Sequence, residues 1–184
     1  MKNKGLTLIE LLVSITMLSL VISAIVVIFT AGIRGQTRNL ASQELSDQSS
    51  YVVEYMSRAL RMAKKDLVGD CTGIGFNYVK TRDGDGIKFL SYENECLEFY
   101  STTTDGISKL VKTVGEGSAI DLTSDELEVV SFEIGPDDSW DDLDDLQPRI
   151  TMLFNIKSIA SGIKDSQRPE IIIQVTISQR NLDQ

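Results

Sequence analysis

Lys4-Gly5-Leu6-Thr7-Leu8-Ile9-Glu10 opens an apolar run that continues without another charge to Ile33. The reading of Glu10 in this stretch decides the fold. A helix crosses a membrane with about 20 apolar residues, and the run from Leu6 to Ile33 exceeds that. An ionised side chain inside such a span costs roughly 2–4 kcal/mol, so it persists where it has a function and a partner. The run itself holds no cation. The expected partner of Glu10 is therefore a chain terminus or another molecule.

The 184 residues suffice for one anchor and one modest domain. Beyond the span, roughly 150 residues remain, enough to bury a core. The formal net charge is -9; without Lys2 and Lys4, 16 basic residues face 27 acidic ones, a net of -11. Nucleic acid and anionic headgroups repel such a chain, so no nucleic-acid partner is expected. Histidine is absent, which removes the commonest general base and metal ligand. No serine has an activating partner at a recognisable spacing, and neither a phosphate loop nor a zinc-ligand spacing occurs. Nothing in the sequence supports an enzyme.

The apolar segment admits three readings. An ordinary signal peptide fits the basic start, and Ala24 would follow its core, but Ile25-Val26-Val27-Ile28-Phe29 prolongs the run and Glu10 interrupts it. A plain transmembrane anchor explains the length and leaves Glu10 unexplained. The third reading uses every feature: Lys4-Gly5-Leu6-Thr7-Leu8-Ile9-Glu10 resembles the class III leader of type IV pilins and pseudopilins. The resemblance implies that a prepilin peptidase cuts after Gly5 and methylates Leu6, with Glu10 at the fifth mature position. Leu6 stands where phenylalanine is usual in the family. Cleavage would create a cationic amine, and Glu10 of one subunit would meet the Leu6 amine of its neighbour. Low dielectric strengthens that pair and makes an unpaired Glu10 costly, so Glu10 would set the register of assembly. Lys2 and Lys4 on one side balance Arg34 and Arg38 on the other, so flanking charge gives no orientation. The resemblance alone places the N-terminus in the cytoplasm, the span in the cytoplasmic membrane before assembly, and the globular domain in the periplasm or outside the cell.

From Arg34 the sequence stays helix-friendly and free of proline to about Lys65. Leu45, Val52, Met56, Ala59 or Leu60, Ala63 and Leu67 recur at three- and four-residue steps and mark one apolar face. One helix over about 8–65 is expected, bare in its first half and docked in its second, with Gly32 and Gly35 as places where it would bend or loosen. Family members often carry a proline in the first half; here none precedes Pro136, which predicts a straight helix. Beyond Asp70, β-rich runs alternate with turn residues: Ile87–Tyr92, Cys96–Ser101, Ile107–Val114, Leu127–Ile134, Arg149–Ser158 and Glu170–Arg180. Asn94-Glu95 and Asp105-Gly106 suggest tight hairpins. The fold class is therefore α+β, a long N-terminal helix packed on a C-terminal antiparallel sheet. Its divisions are a leader 1–5, a filament-core helix 6–33 and a globular domain 34–184, of which 34–67 is the amphipathic half of the helix and 70–184 the sheet region. Arg58-Ala59-Leu60-Arg61-Met62-Ala63, Cys96-Leu97-Glu98-Phe99-Tyr100 and Gln174-Val175-Thr176-Ile177-Ser178-Gln179-Arg180 resemble, loosely, the J-type or W-type minor pseudopilins.

Other residue groups have competing readings. In an exported domain Cys71 and Cys96 would form one disulfide; the alternative is two half-buried thiols. Asp137, Asp138, Asp141, Asp142, Asp144 and Asp145 gather six carboxylates within nine residues, a set that suits calcium and equally a self-repelling, solvated loop. Calcium is the one candidate cofactor. Asp83-Gly84-Asp85-Gly86 resembles the start of a calcium loop, but Asn94 stands where the closing glutamate belongs, so a turn is the better reading. Trp140 is either a partner-facing anchor or a plug for its own loop. The function expected from the resemblance is a structural, minor subunit of a type IV pilus or type II secretion pseudopilus. Its partners would be the prepilin peptidase, other pilins or pseudopilins, and the inner-membrane assembly platform. The alternative is a permanently anchored extracytoplasmic binding module that enters no filament.

Overall fold

The computed structural model of the chain describes residues 7–140 and 147–180. One helix, α1, runs unbroken through Leu8–Arg61, 54 residues. It passes Gly32 and Gly35 without interruption, because no proline removes a donor and a lone glycine costs only about 1 kcal/mol. From Leu8 to Ile33 every residue of α1 is exposed. Farther on, Ala41, Leu45, Ser49, Val52, Met56 and Leu60 are buried, the stripe that three- and four-residue spacing predicts.

The helix ends at Arg61, four residues before Lys65. Ala63 remains buried, but Leu67 is 75% exposed and belongs to no helical face. The cause is a competing hydrogen bond: the Lys64 amide donates to Leu90 O at 2.8 Å and so leaves the helical ladder. Tyr78 of the sheet and the two residues after the last strand take up carbonyls at and just past the helix's end, which have no partner within the helix. Tyr78 Oη donates to Leu60 O at 2.7 Å, the Arg180 amide to Arg61 O at 2.9 Å, and Gln179 Nε2 to Ala63 O.

Eight strands follow: β1 (Tyr78–Thr81), β2 (Gly86–Leu90), β3 (Cys96–Thr104), β4 (Ile107–Val114), β5 (Ile120–Asp121), β6 (Leu127–Gly135), β7 (Arg149–Ser158) and β8 (Glu170–Ser178). They form two antiparallel sheets, ordered β1-β2-β3-β4-β5 and β6-β7-β8. The six runs read from the sequence are all strands, with β4 and β7 matching end to end. The strands β1 and β5 were missed, because four residues and two residues are too short for alternation to show. Asp105 and Gly106, at φ 54° and 79°, form the two-residue turn between Thr104 and Ile107, where both positions need positive φ.

Both sheets and the helix share one core. Ile150, Met152, Phe154 and Ile156 of β7 are buried, as their alternation predicts. The matching face of β8 is only partly covered at Ile171, Ile173 and Val175, and fully covered at Ile177. Tyr55 meets Phe99 edge-on at 6.0 Å while Tyr51 stacks outside it at 6.3 Å. The two tyrosines are the margin of the helix–sheet contact.

Cys71 and Cys96 are disulfide-bonded, which joins the loop after α1 to the first residue of β3. A loop of this size stabilises by about 2–4 kcal/mol. Cys71→Ser/Cys96→Ser should therefore lower the stability of the full chain by that amount in denaturant titration. Met56, with no exposed surface, gives a second expectation: Met56→Ala should cost about 2–5 kcal/mol, whereas Tyr51→Ala, at the margin, should cost under about 1 kcal/mol.

Candidate assembly interface

The N-terminal end of α1 is built around Thr7 and Glu10. Thr7 caps the helix: its Oγ1 accepts from the Glu10 amide at 3.4 Å, while Glu10 Oε2 accepts from the Thr7 amide at 3.0 Å and from Thr7 Oγ1 at 2.9 Å. This reciprocal capping box satisfies two amides that would otherwise be orphaned. The carboxylate also lies at the positive end of the helix dipole. Glu10 thus has an intrachain partner, Thr7, that is not a cation. The signal was present in the sequence as Thr7-x-x-Glu10. Gly5 and Leu6, the expected cleavage and methylation residues, lie outside the described residues.

Apart from Glu10, the helix between Leu8 and Ile33 offers solvent only apolar side chains and folded-back hydroxyls. Ser14 donates to Glu10 O at 2.7 Å, Thr16 to Val13 O at 2.9 Å, Ser19 to Ile15 O at 2.8 Å, Ser23 to Ser19 O at 2.8 Å and Thr30 to Val26 O at 2.9 Å. Each hydroxyl is satisfied by its own helix, so the surface needs no polar partner and tolerates a lipid or helical neighbour. This segment is long and apolar enough to cross a membrane, and none of it is buried.

At the other end of α1, Asp66 organises the loop that the disulfide closes. It is 2% exposed. Its Oδ1 accepts from the amides of Val68 at 3.1 Å and Gly69 at 2.6 Å, and its Oδ2 from Cys71 at 2.7 Å and Thr72 at 2.9 Å. Gly69 has φ 91°, and a Cβ there would stand 2.8 Å from Ile74 Cγ1, so only glycine fits. Burial by itself would raise the carboxyl's pKa; the amides of Gly69, Thr72, Cys71 and Val68 outweigh it and bring the pKa down to about 2. Sequence reasoning passed over Asp66, since four donors converge on it only after the loop has closed.

The acidic loop splits. Asp137 pairs with Lys80 at 3.2 Å, and that bond holds its carboxyl below the usual range. Asp138 is exposed. Asp141, Asp142, Asp144 and Asp145 lie outside the described residues. Among the described residues no three acidic, cysteine or histidine side chains are grouped to hold a metal. Asp83, Gly84 and Asp85 lie in the turn between β1 and β2, with Asp83 at φ 57° and Gly84 at φ 108°, and Gly86 opens β2. Trp140 plugs its own loop: it is 3% exposed, donates from Nε1 to Arg149 O at 2.8 Å and meets Tyr78 edge-on at 5.7 Å. Gln48 joins α1 to the loop between β5 and β6: it donates to Glu44 of its own helix at 2.9 Å and accepts from the Ser124 amide at 3.3 Å. Glu126 stands beside Glu44, whose hydrogen bond and like charge raise the Glu126 carboxyl.

Comparison with known proteins gives a match at the N-terminus. Residues 1–30 match the family model of the prokaryotic N-terminal methylation motif. The chain carries that motif. Its matched residues take in Gly5, Leu6 and Glu10 and run through most of the exposed half of α1. No curated protein matches the chain. Among solved structures, a type IV-like pilin from Thermus thermophilus is similar, with 14% sequence identity and a TM-score of 0.47 over 76% of this chain and 99% of that one.

The Asp66 geometry yields a pH prediction. A carboxyl whose folded pKa is depressed contributes stability above its unfolded value, and loses it as pH falls through the folded value. Here the window runs from the ordinary 3.8 down to about 2. Asp66→Asn should cost about 2 kcal/mol at neutral pH, and the difference from wild type should vanish near pH 2. Acid-unfolding curves of both chains measure it; a constant difference across pH would assign the loss to packing.

Proposed function

We propose that the chain is a structural subunit of a pilin-like filament, either a type IV pilus or a type II secretion pseudopilus, and acts in assembly and not in catalysis. One observation carries the reading: the methylation motif at residues 1–30 leads into a helix whose first half is wholly exposed and apolar while its second half is the spine of a folded domain. A motif of this kind has a use only if the segment after it outlives processing. A helix that continues into the domain's core cannot be discarded as an ordinary signal peptide.

In this reading a prepilin peptidase cuts after Gly5 and methylates Leu6, which leaves 6–33 as membrane anchor and then filament core, and 34–184 as the outward domain. The N-terminus faces the cytoplasm before assembly. Helix burial among neighbouring subunits removes the exposed apolar surface from lipid and replaces it with close packing. Glu10 sets the stagger by meeting the Leu6 amine of an adjacent subunit, exchanging the Thr7 bonds for an ion pair with a full positive charge. A minor, J-type or W-type role fits the elaborate two-sheet domain, and partner specificity resides on that domain.

Mass spectrometry of the N-terminus tests processing: a methylated Leu6 start is expected, and an intact Met1 would favour a permanently anchored module. Glu10→Ala should leave export and folding intact while incorporation into filaments is lost. Normal assembly of that variant would remove Glu10 from the register role.

A further inference from the structure

Arg34 and Arg38 continue the buried stripe of α1 downward. The steps 34, 38, 41, 45, 49, 52, 56 and 60 are all three or four residues, and from Ala41 upward the stripe is buried, yet the two arginines are exposed. They lie on the domain-facing side of the helix, below the domain and directly after Ile33. Neither makes an ion pair among the described residues.

We propose that Arg34 and Arg38 form a docking site for the phosphates of anionic lipids in the outer leaflet, and that residues 34–43 are an acid-free stand-off that keeps the acidic domain clear of that charge. The proposal rests on the membrane-anchored state of the proposed function. With the Thr7–Glu10 cap at the inner interface, Leu11–Ile33 rises about 34 Å, which fits a hydrocarbon core of about 30 Å with ordinary tilt. Arg34 then stands at the outer headgroups, and Arg38 lies one turn farther out on the same face. Long cationic side chains bury their stems and reach phosphates from both places.

Charge explains the spacing. Beyond Arg38 the chain carries 14 basic and 26 acidic residues, a net of -12, which an anionic surface repels. Residues 34–43 contain two arginines and no carboxylate; the first acid above the span is Glu44. Glu44 lies eleven helical steps beyond Ile33, about 16 Å, against a Debye length of about 8 Å at physiological salt. The arginines feel the leaflet and the domain is screened from it. A second copy of the chain is the rival occupant, but the arginines' place at the end of the apolar span favours lipid.

The test uses the full chain reconstituted in phosphatidylcholine vesicles, with spin-labelled phosphatidylglycerol or phosphatidylcholine as the probe. The motionally restricted fraction reads lipid selectivity. A basic side chain at an anionic surface corresponds to about a fivefold preference. Wild type should therefore favour phosphatidylglycerol several-fold, less so at high salt. R34Q/R38Q should abolish most of the preference, while R34K/R38K and K2Q/K4Q should keep it. The proposal is overturned if wild type shows no preference, if R34Q/R38Q leaves it unchanged, or if K2Q/K4Q is the variant that removes it. Weaker self-association of R34Q/R38Q with unchanged selectivity would overturn it in favour of a second copy. A missing methyl group at Leu6 would defeat the filament reading and leave the lipid result standing; failure to insert into vesicles would defeat both.

Discussion

The structure depends on burial of one stripe of α1, Ala41 to Leu60, beneath both sheets. That contact turns an isolated apolar helix into the spine of a domain. It also fixes where the helix stops, because Tyr78, Arg180 and Gln179 reach across to the carbonyls of Leu60, Arg61 and Ala63. A helix held so firmly at one end can present its other half, Leu8 to Ile33, with no contact to its own domain. Exposed apolar surface on this scale has to be covered by something outside the subunit. Membrane and filament are the two covers that the methylation motif makes sense of.

The two ends of α1 solve the same electrostatic problem differently. At the start, an anion is placed where helix amides are free, and Thr7 and Glu10 satisfy each other. Beyond the other end, a buried anion gathers the amides of a loop that has no regular structure, with Asp66 as its centre and the Cys71–Cys96 bond as its outer tie. Both use carboxylate–amide bonds, which are strong because one partner is ionised. The first is exposed and can be exchanged for an intermolecular partner. The second is enclosed, and serves only the fold.

Much of this was legible in the residues. The helix is read from its three- and four-residue spacing, and β7 and β8 from their alternation. Other elements were illegible for physical reasons. The strands β1 and β5 carry too few residues for a period to appear. Leu67 kept the helical step, yet the helix had already ended, because a tertiary hydrogen bond from Lys64 to Leu90 won over local propensity. Asp137 was read within a cluster of six carboxylates; its bond is to Lys80, far away in sequence.

The sequence by itself determined where α1 begins and that it runs on unbroken, the point at Ile33 where it turns from apolar to charged, the alternation of β7 and β8 and the presence of Gly5, Leu6 and Glu10 in leader register. These are local properties, set by composition and spacing along the chain. Only the tertiary structure decided that the strands divide into two sheets, that Trp140 turns inward onto Tyr78 and that Asp66 collects four amides. Each of those outcomes depends on groups brought together by chain closure. The free energy of a buried polar or aromatic contact is defined by partners that the linear order of residues does not name.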